Sequence, residues 1–577
     1  MPNNLPHGPI SRRLYPAALC LLALALSILV PAGRAAAEQP ALANHLMDMA
    51  SIPRGICSVL GADNAGLAAE IAASGRFFVH LQGSDFDAVA ETKKDMVGRG
   101  IYGDKLVVES APLDKLLYAD NTIDLIIAAD LTTKKLSGIA PDELLRALRP
   151  GGKAIIGGSS KGLNSKILKA WTAPAPASGA DPQIIPDGSR LWAVLTKPPI
   201  EGSSGWSHWE HGPDNNPVSQ DTAIRAPYMT HYFGGPYHPP MPMITTVGAG
   251  ITFTAMGHIA HHQREEPWLN TLIAQNGYNG TELWRRKLPD GYLVHRSAFI
   301  ATDHTFYMIA PDGGGCLLLE PETGVVKGEI RIPGIDGDWK WMALVDGVLY
   351  AMAGDQADPP QTIHVRSPSS AWSWGDLSSG YYEQRVPWGF GNTIVAWDLQ
   401  NKKAVWRHDE DLPIDSRAMT IGGDKLFFYG PDSGLGCLDA ASGDLIWDNN
   451  DPELRKLIEE RGQNLTSTPG FRTCCISLYS PDVLFFQGQT RMNVVAVRTR
   501  DGSYLWHRQK VTNNPNMLFV EGKLLAAIGR GGSNLLIDPL TGETVEDLGF
   551  RKGGCVRLTA TWDSFFCRGE GFLRYDR

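Results

Sequence analysis

One pattern recurs down the last two-thirds of the chain and constrains its fold more than any other feature. A short apolar run leads into Asp or Asn, then a few polar residues, then Gly or a stand-in. A Trp often follows at a fixed offset. The pattern reads NGYNGTELW at residues 276–284, DLQNKKAVW at 398–406, DAASGDLIW at 439–447 and RTRDGSYLW at 498–506. Fainter copies are EPETG at 320–324 and DPLTG at 538–542. Each copy predicts a hairpin whose turn needs Asp and Gly where backbone angles are unusual. The Trp is placed to fill the wedge between neighbouring sheets, which accounts for part of the 16 Trp in 577 residues. Such a unit cannot bury both of its faces, so copies must stack radially.

Runs such as 425–429 and 523–528 supply the other strands of each unit. The expected architecture is an all-β propeller of seven or eight four-stranded blades over residues 201–577. The turn positions Gly280 and Gly324 lie one blade apart. Gly443 and Gly502 lie one blade plus an insertion apart. The span from Gly324 to Lys402 is nearly double, and hides either an unmarked blade or a long Trp-rich excursion. Ring closure falls to Cys555–Arg577 with the first strands after the linker, or to sequence beyond this chain.

Residues 40–172 have a different character. Apolar runs at 56–60, 77–81, 124–129 and 153–156 alternate with helical stretches, the order of an α/β Rossmann-like domain with a doubly wound parallel sheet. Residues 173–200, rich in Pro, Ala, Gly and Asp at their start, are expected to form a linker and junction.

These motifs carry a resemblance. The repeats resemble the PQQ-like (quinoprotein alcohol dehydrogenase-like) propeller family. The phrase LLRALRPGG at 144–152 resembles the late motif of class I methyltransferases. The junction Trp206-Ser207-His208-Trp209-Glu210-His211, with Asp214-Asn215-Asn216, resembles the start of the propeller in exported proteins that fuse a methyltransferase-like domain to such repeats. The resemblance places the cofactor turn of the first domain at Gly61, Asp63 and Gly66. It also implies an acid at the end of the second strand to hold ribose hydroxyls, where this chain has Gln82, with Asp85 three residues later. S-adenosylmethionine is disfavoured there, and the domain is expected to be degenerate.

The N-terminus has the form of a signal peptide over residues 1–37. Arg12 and Arg13 precede an apolar run from Ala17 to Val30, and Ala35-Ala36-Ala37 offers a cleavage site. The run is too short for a comfortable span, and no other stretch could cross a bilayer, so a periplasmic or secreted protein without a transmembrane segment in the mature chain is expected. A formal net charge of −9 argues against nucleic acid as a partner. Seven cysteines remain after Ala37, an odd number, so one thiol at least lacks a partner within the chain.

Three chemistries compete for the propeller. The first is an alcohol or sugar dehydrogenase using PQQ with calcium, for which the resemblance offers Cys474-Cys475 as a vicinal pair beside the quinone. The second is a glycan lyase or hydrolase using a divalent transition metal. Nine of 15 His fall between His208 and His304, and imidazoles serve as ligands and as acids and bases. His258, His261 and His262 are the candidate metal ligands. His208, His211, His258, His295 and Arg296 are the candidate catalytic groups. The third is a non-enzymatic envelope scaffold, with Trp374 and Trp388 available to stack on sugars or partner segments. Asp214 and Asn215 complete the candidate ligand-binding set. The leading expectation is a protein that binds or processes a small-molecule or saccharide ligand at the propeller face, with these three as its alternatives and other envelope proteins as further partners.

Overall fold

The computed structural model describes residues 39–175, 179–225, 229–292, 294–356, 364, 389–430, 432–458, 476–487, 493–512, 517–527, 534–549, 557–568 and 572–576. They form two compact units, one ending at Pro198 and one beginning at Pro199. No helix among them is long and apolar enough to cross a membrane. The expected signal segment, Trp374, Trp388, Cys474 and Cys475 lie outside the described residues.

The first unit is a seven-stranded sheet of β1 (Gly55–Leu60), β2 (Phe77–Gly83), β3 (Leu106–Ser110), β4 (Ile123–Ala128), β5 (Leu148–Ser159), β6 (Gln183–Asp187) and β7 (Arg190–Thr196). Its order is β3-β2-β1-β4-β5-β7-β6. Strands β1 to β5 pair in parallel, while β7 runs antiparallel to both β5 and β6. The sheet is therefore mixed rather than wholly parallel.

The expected linker at 173–200 is corrected here, since it contains β6 and β7. Its polar, Pro-rich opening obscured the apolar run Arg190–Thr196, which fills the sheet beside β5 and buries Trp192 completely. Pro186 is tolerated because β6 is an edge strand. The RPGG motif does not simply end a helix. The helix Pro141–Ala147 stops, and β5 begins at once. Arg149 in that motif pairs with the fully buried Asp124 (2.5 Å), whose other oxygen accepts from Ile56 N–H (2.8 Å).

The second unit holds six four-stranded antiparallel meanders and one three-stranded sheet. In chain order the seven blades span residues 241–287, 299–330, 338–415, 420–449, 476–508, 517–547 and 559–576. The long gap before Lys402 falls inside blade 3, whose strands Val348–Gly354 and Phe390–Asp398 pair directly.

The repeat's Trp and Gly meet across blades. Trp284 on the last strand of blade 1 lies over Gly324 in the outer turn of blade 2. Trp406, Trp447 and Trp506 lie likewise over Gly443, Gly502 and Gly542 of the next blade. A Cβ on these glycines would come within 2.5–2.7 Å of the indole. Each indole N–H donates to a carbonyl of the same turn, at Pro321, Ala440, Thr499 and Pro539 (2.8–3.0 Å). Blade 2 carries Gly328 at the Trp position, and the next turn holds Lys402 instead of Gly, at φ 52°. Glycine is thus kept where an indole covers the turn. At the ring's closing point Tyr232 covers Gly280 of blade 1 in place of a Trp.

Candidate functional site

The innermost strand of a blade leaves one edge of N–H and C=O groups facing the axis, where they need partners. Residues 206–219 meet this need in all seven blades, taken in chain order. Trp206 exchanges backbone bonds with Val247 of blade 1 (2.7 and 2.8 Å), and Ser207 O accepts from Ala301 N–H of blade 2 (2.9 Å). His208 Nε2 accepts from Leu344 N–H of blade 3 (3.1 Å). Pro213 O accepts from Ile421 N–H of blade 4, and Asp214 O from Tyr479 N–H of blade 5 (2.9 and 3.0 Å). Asn215 Nδ2 donates to Met419 O and Ser477 O, bridging blades 4 and 5. The Asn216 amide both donates to and accepts from the backbone of Phe519 in blade 6 (2.9 Å each). Pro217 O and Ser219 N–H bond Ala560 of blade 7. This segment is a strap around the axis.

The strap decides what its candidate residues do. His208 is buried, and its Nε2 is occupied by Leu344. Its Nδ1–H therefore donates to Ser207 Oγ (2.8 Å), which in turn donates to His211 O (3.1 Å). Burial pushes its pKa down to about 3. Both nitrogens of this neutral ring are committed, so His208 is corrected from a catalytic candidate to a structural acceptor. Asn215, expected to touch ligand, holds φ 56° and spends its amide on two blades.

His211 and Asp214 face a crevice of about 580 Å³. The strap closes one side of it, and the first hairpins of several blades close the rest. Ser204, Ser207, Gln220, Asp303 and Tyr479 contribute polar groups, and the lining contains no Lys or Arg among the described residues. Burial raises the Asp214 carboxyl to about 6, against the N–H of Asn216 that favours its charge. Burial also lowers the His211 pKa, and His211 packs edge-on against Trp206. A carboxyl near 6 can hold or release a proton close to neutrality, as general acid–base work requires. Tyr479 and Asp303 escaped the sequence reading. Asp303 lies in the first-hairpin turn of blade 2 and Tyr479 ends the first strand of blade 5, and only the blade register, known once the strap is seen, aims them at the axis.

The other end of the axis is cationic. The strap meets each first strand toward its C-terminal end, so the residues preceding those strands lie on the opposite face. Arg296 precedes blade 2 and Arg557 precedes blade 7; both guanidiniums stack on Trp209 (4.1 and 3.2 Å to the ring). Arg557 also pairs with the buried Glu210. A β-bulge in blade 3 leaves Lys340 unpaired in the ladder and turns it toward Asp338 (3.3 Å). Burial, then the charges of Lys340 and Arg296, push His295 down to about 3.

The three candidate metal ligands are not gathered. His258 is buried within the strand Ile251–Ile259, and burial lowers it to about 4. His262 caps the short helix Gln263–Trp268, and Glu265 accepts from the backbone of His261 and His262. Among the described residues no group of three or more His, Cys, Asp or Glu is placed to hold a metal ion.

In the first unit the crevice between β1 and β4, where strand order reverses, is the expected ligand position. Gly61 takes φ 92° there, and Asp63 pairs with Lys135 across it. Gly66 lies in the helix Ala65–Ala73 against Gln39. Gln82 is fully buried and bonded to Pro112 O, Lys115 O and Leu117 N–H, while Asp85 caps the helix Phe86–Gly98. The Gln82 amide is spent on these backbone partners, while Asp85 gives one oxygen to Ala88 N–H and stays exposed.

Residues 383–546 match the family described as outer membrane protein assembly factor BamB. This span runs from blade 3 through blade 6. The chain joins an α/β unit to a propeller, and the match lies within the propeller. Solved structures similar to the PQQ-like propeller include BamB from Moraxella catarrhalis, at 12% identity over 56% of this chain and 78% of that one, with a TM-score of 0.34. Quinohemoprotein alcohol dehydrogenase from Comamonas testosteroni is 11% identical over 64% and 71%, with a TM-score of 0.39. A SAM-dependent methyltransferase from Aquifex aeolicus is 14% identical over 27% and 88%, with a TM-score of 0.23. Comparison with curated proteins gives no match.

Proposed function

We propose that the chain is an exported PQQ-like propeller protein that binds a small polar ligand, a saccharide, in the axial crevice. The carrying observation is that crevice, where Ser207, His211 and Asp214 stand on a strap bonded to the seven described blades. Groups held this way need little reordering when ligand arrives, which conserves affinity. Hydroxyl, amide, imidazole and carboxylate groups in one cleft suit a polyhydroxylated ligand. Export rests on the Arg12-Arg13, apolar and Ala35–Ala37 pattern.

The cofactors implied by the fold do not fit the described residues. Calcium takes six to eight oxygen ligands, whereas one end of the axis offers Asp214 and Asp303 and the other carries Arg296, Arg557 and Lys340. At the end of β2 the ribose acid is replaced by Gln82, whose amide is spent on Pro112 and Lys115.

Calorimetric titration with a panel of neutral and charged oligosaccharides tests the reading. Binding that weakens in Gln220→Ala and Tyr479→Phe supports it, and no binding by any saccharide overturns it. A second reading, docking of an envelope partner, is favoured by the exposed Met229, Phe233 and Tyr237 on the segment that leads to blade 1. Phe233→Ser should abolish capture of such a partner without changing saccharide binding.

A further inference from the structure

The charge of the crevice narrows its ligand class, an inference that rests on the crevice being the binding site. Two carboxylates, Asp214 and Asp303, belong to its lining, and no Lys or Arg stands among the described lining residues to neutralise them. The one imidazole there, His211, is held toward its neutral form by burial. The nearby cations point elsewhere: Arg296 and Arg557 stack on Trp209, which leaves the strap toward the opposite face, and Arg557 pairs with Glu210.

The two carboxylates are fixed by the backbone. Asp303 accepts from Ala249 N–H (2.8 Å), and Asp214 from Asn216 N–H (3.2 Å). One N–H each leaves the remaining oxygen positions of a carboxylate open to further donors. Asp214 is partly buried with no countercharge in the lining, which is costly, and a ligand that brings a cation recovers that cost; Asp303 is exposed.

We infer that the axial crevice selects ligands carrying a primary ammonium group, with Asp214 and Asp303 as its acceptors. An amino sugar satisfies both this charge and the polar lining. Hydroxyls meet Ser204, Ser207 and Gln220, and the ammonium meets the carboxylates. Acidic saccharides are rejected by the same pair.

The test is calorimetric titration of the whole chain at pH 7.5 with kanamycin, fully N-acetylated kanamycin, trigalacturonate and spermidine. Kanamycin should bind at least about tenfold more tightly than its acetylated form, since a charge-assisted bond is worth about 1.5–3 kcal/mol. Asp214→Asn and Asp303→Asn each keep an oxygen for the backbone N–H and should erase that preference. Thermal melting and circular dichroism of both variants check that the fold stands. Equal binding of the two kanamycin forms, or tighter binding of trigalacturonate, overturns the ammonium inference and leaves the saccharide reading in place. Binding of spermidine alone keeps the ammonium inference and overturns the saccharide. Silence from all four probes overturns the inference.

Discussion

The pairing of indole and turn glycine between blades can be tested inside one molecule. Gly443 sits at φ 77°, and a Cβ there would stand 2.5 Å from the Trp406 ring. The left-handed backbone costs a non-glycine residue about 1–2 kcal/mol. Forcing a carbon against a packed ring costs about 1–3 kcal/mol more. Gly443→Ala should therefore destabilise the propeller by about 2–5 kcal/mol. Lys402 is the internal control. It occupies the same turn position in blade 3 at φ 52°, with Gly328 rather than Trp on the preceding blade. Lys402→Ala changes neither backbone class nor contact with an indole, so it should stay within about 0.5 kcal/mol of the parent. Urea unfolding followed by tryptophan fluorescence reads both, with the midpoint shifting at constant slope. In a Trp406→Leu background the cost of Gly443→Ala should shrink, because the contact that charges it is gone. Equal costs at 443 and 402, or an unchanged cost without the indole, would refute the argument that the indole dictates the glycine.

Three further outcomes are expected. His208→Ala leaves Leu344 N–H without its acceptor in a buried place and should cost about 1–3 kcal/mol of stability by the same unfolding assay. That cost should shrink as pH falls from 8 to 5, because the unfolded imidazole takes up a proton below about 6.5 while the folded ring stays neutral down to about 3. Ammonium binding should follow the Asp214 carboxyl, whose folded pKa of about 6 lies above its usual 3.8. The negative charge is present above about 6 and lost as pH falls through it, so affinity measured from pH 8 to pH 5 should drop while Asp214→Asn stays flat. The sign reverses for stability, because burial favours the protonated form and this group's contribution declines as pH rises from 3.8 to about 6. Gln82→Asp restores an acid at the end of β2 but removes the amide that donates to Pro112 and Lys115. It should lower stability and give no heat on titration with S-adenosylmethionine.

Fold was legible where the sequence repeats a physical demand. Asp439, Gly443 and Trp447 announce a hairpin and its interblade wedge because the turn geometry and the indole both restrict residue choice. The strands β6 and β7 were missed because a Pro-rich approach hides a short apolar run. Blade 2 was marked only faintly because Gly328 replaces its Trp. The site was legible in half. His211 and Asp214 do reach the crevice, but nothing local separates them from His208 and Asn215, one residue type and a few positions away. Asp303 and Tyr479 gave no local sign at all. Their role comes from lying in first hairpins at the axis, a fact about blade register and not about neighbours in sequence.

The strap explains why a structural segment imitates a catalytic motif. Seven inner strands present seven unpaired edges to one axis, and each edge offers a donor, an acceptor or both. A segment that satisfies them in chain order must be rich in groups that do both: a neutral imidazole at His208, and amides at Asn215 and Asn216. Those are the side chains that catalysis and metal binding also use, so their density alone cannot distinguish the two uses. Direction can. A side chain aimed at a blade's backbone closes the fold, as Asn216 does on Phe519. A side chain that lines the crevice, as Asp214 does, remains available to a ligand, and burial there raises its pKa. The strap therefore divides its side chains between fold and crevice, while its backbone serves the ring even at crevice residues, as Asp214 O does for Tyr479 N–H.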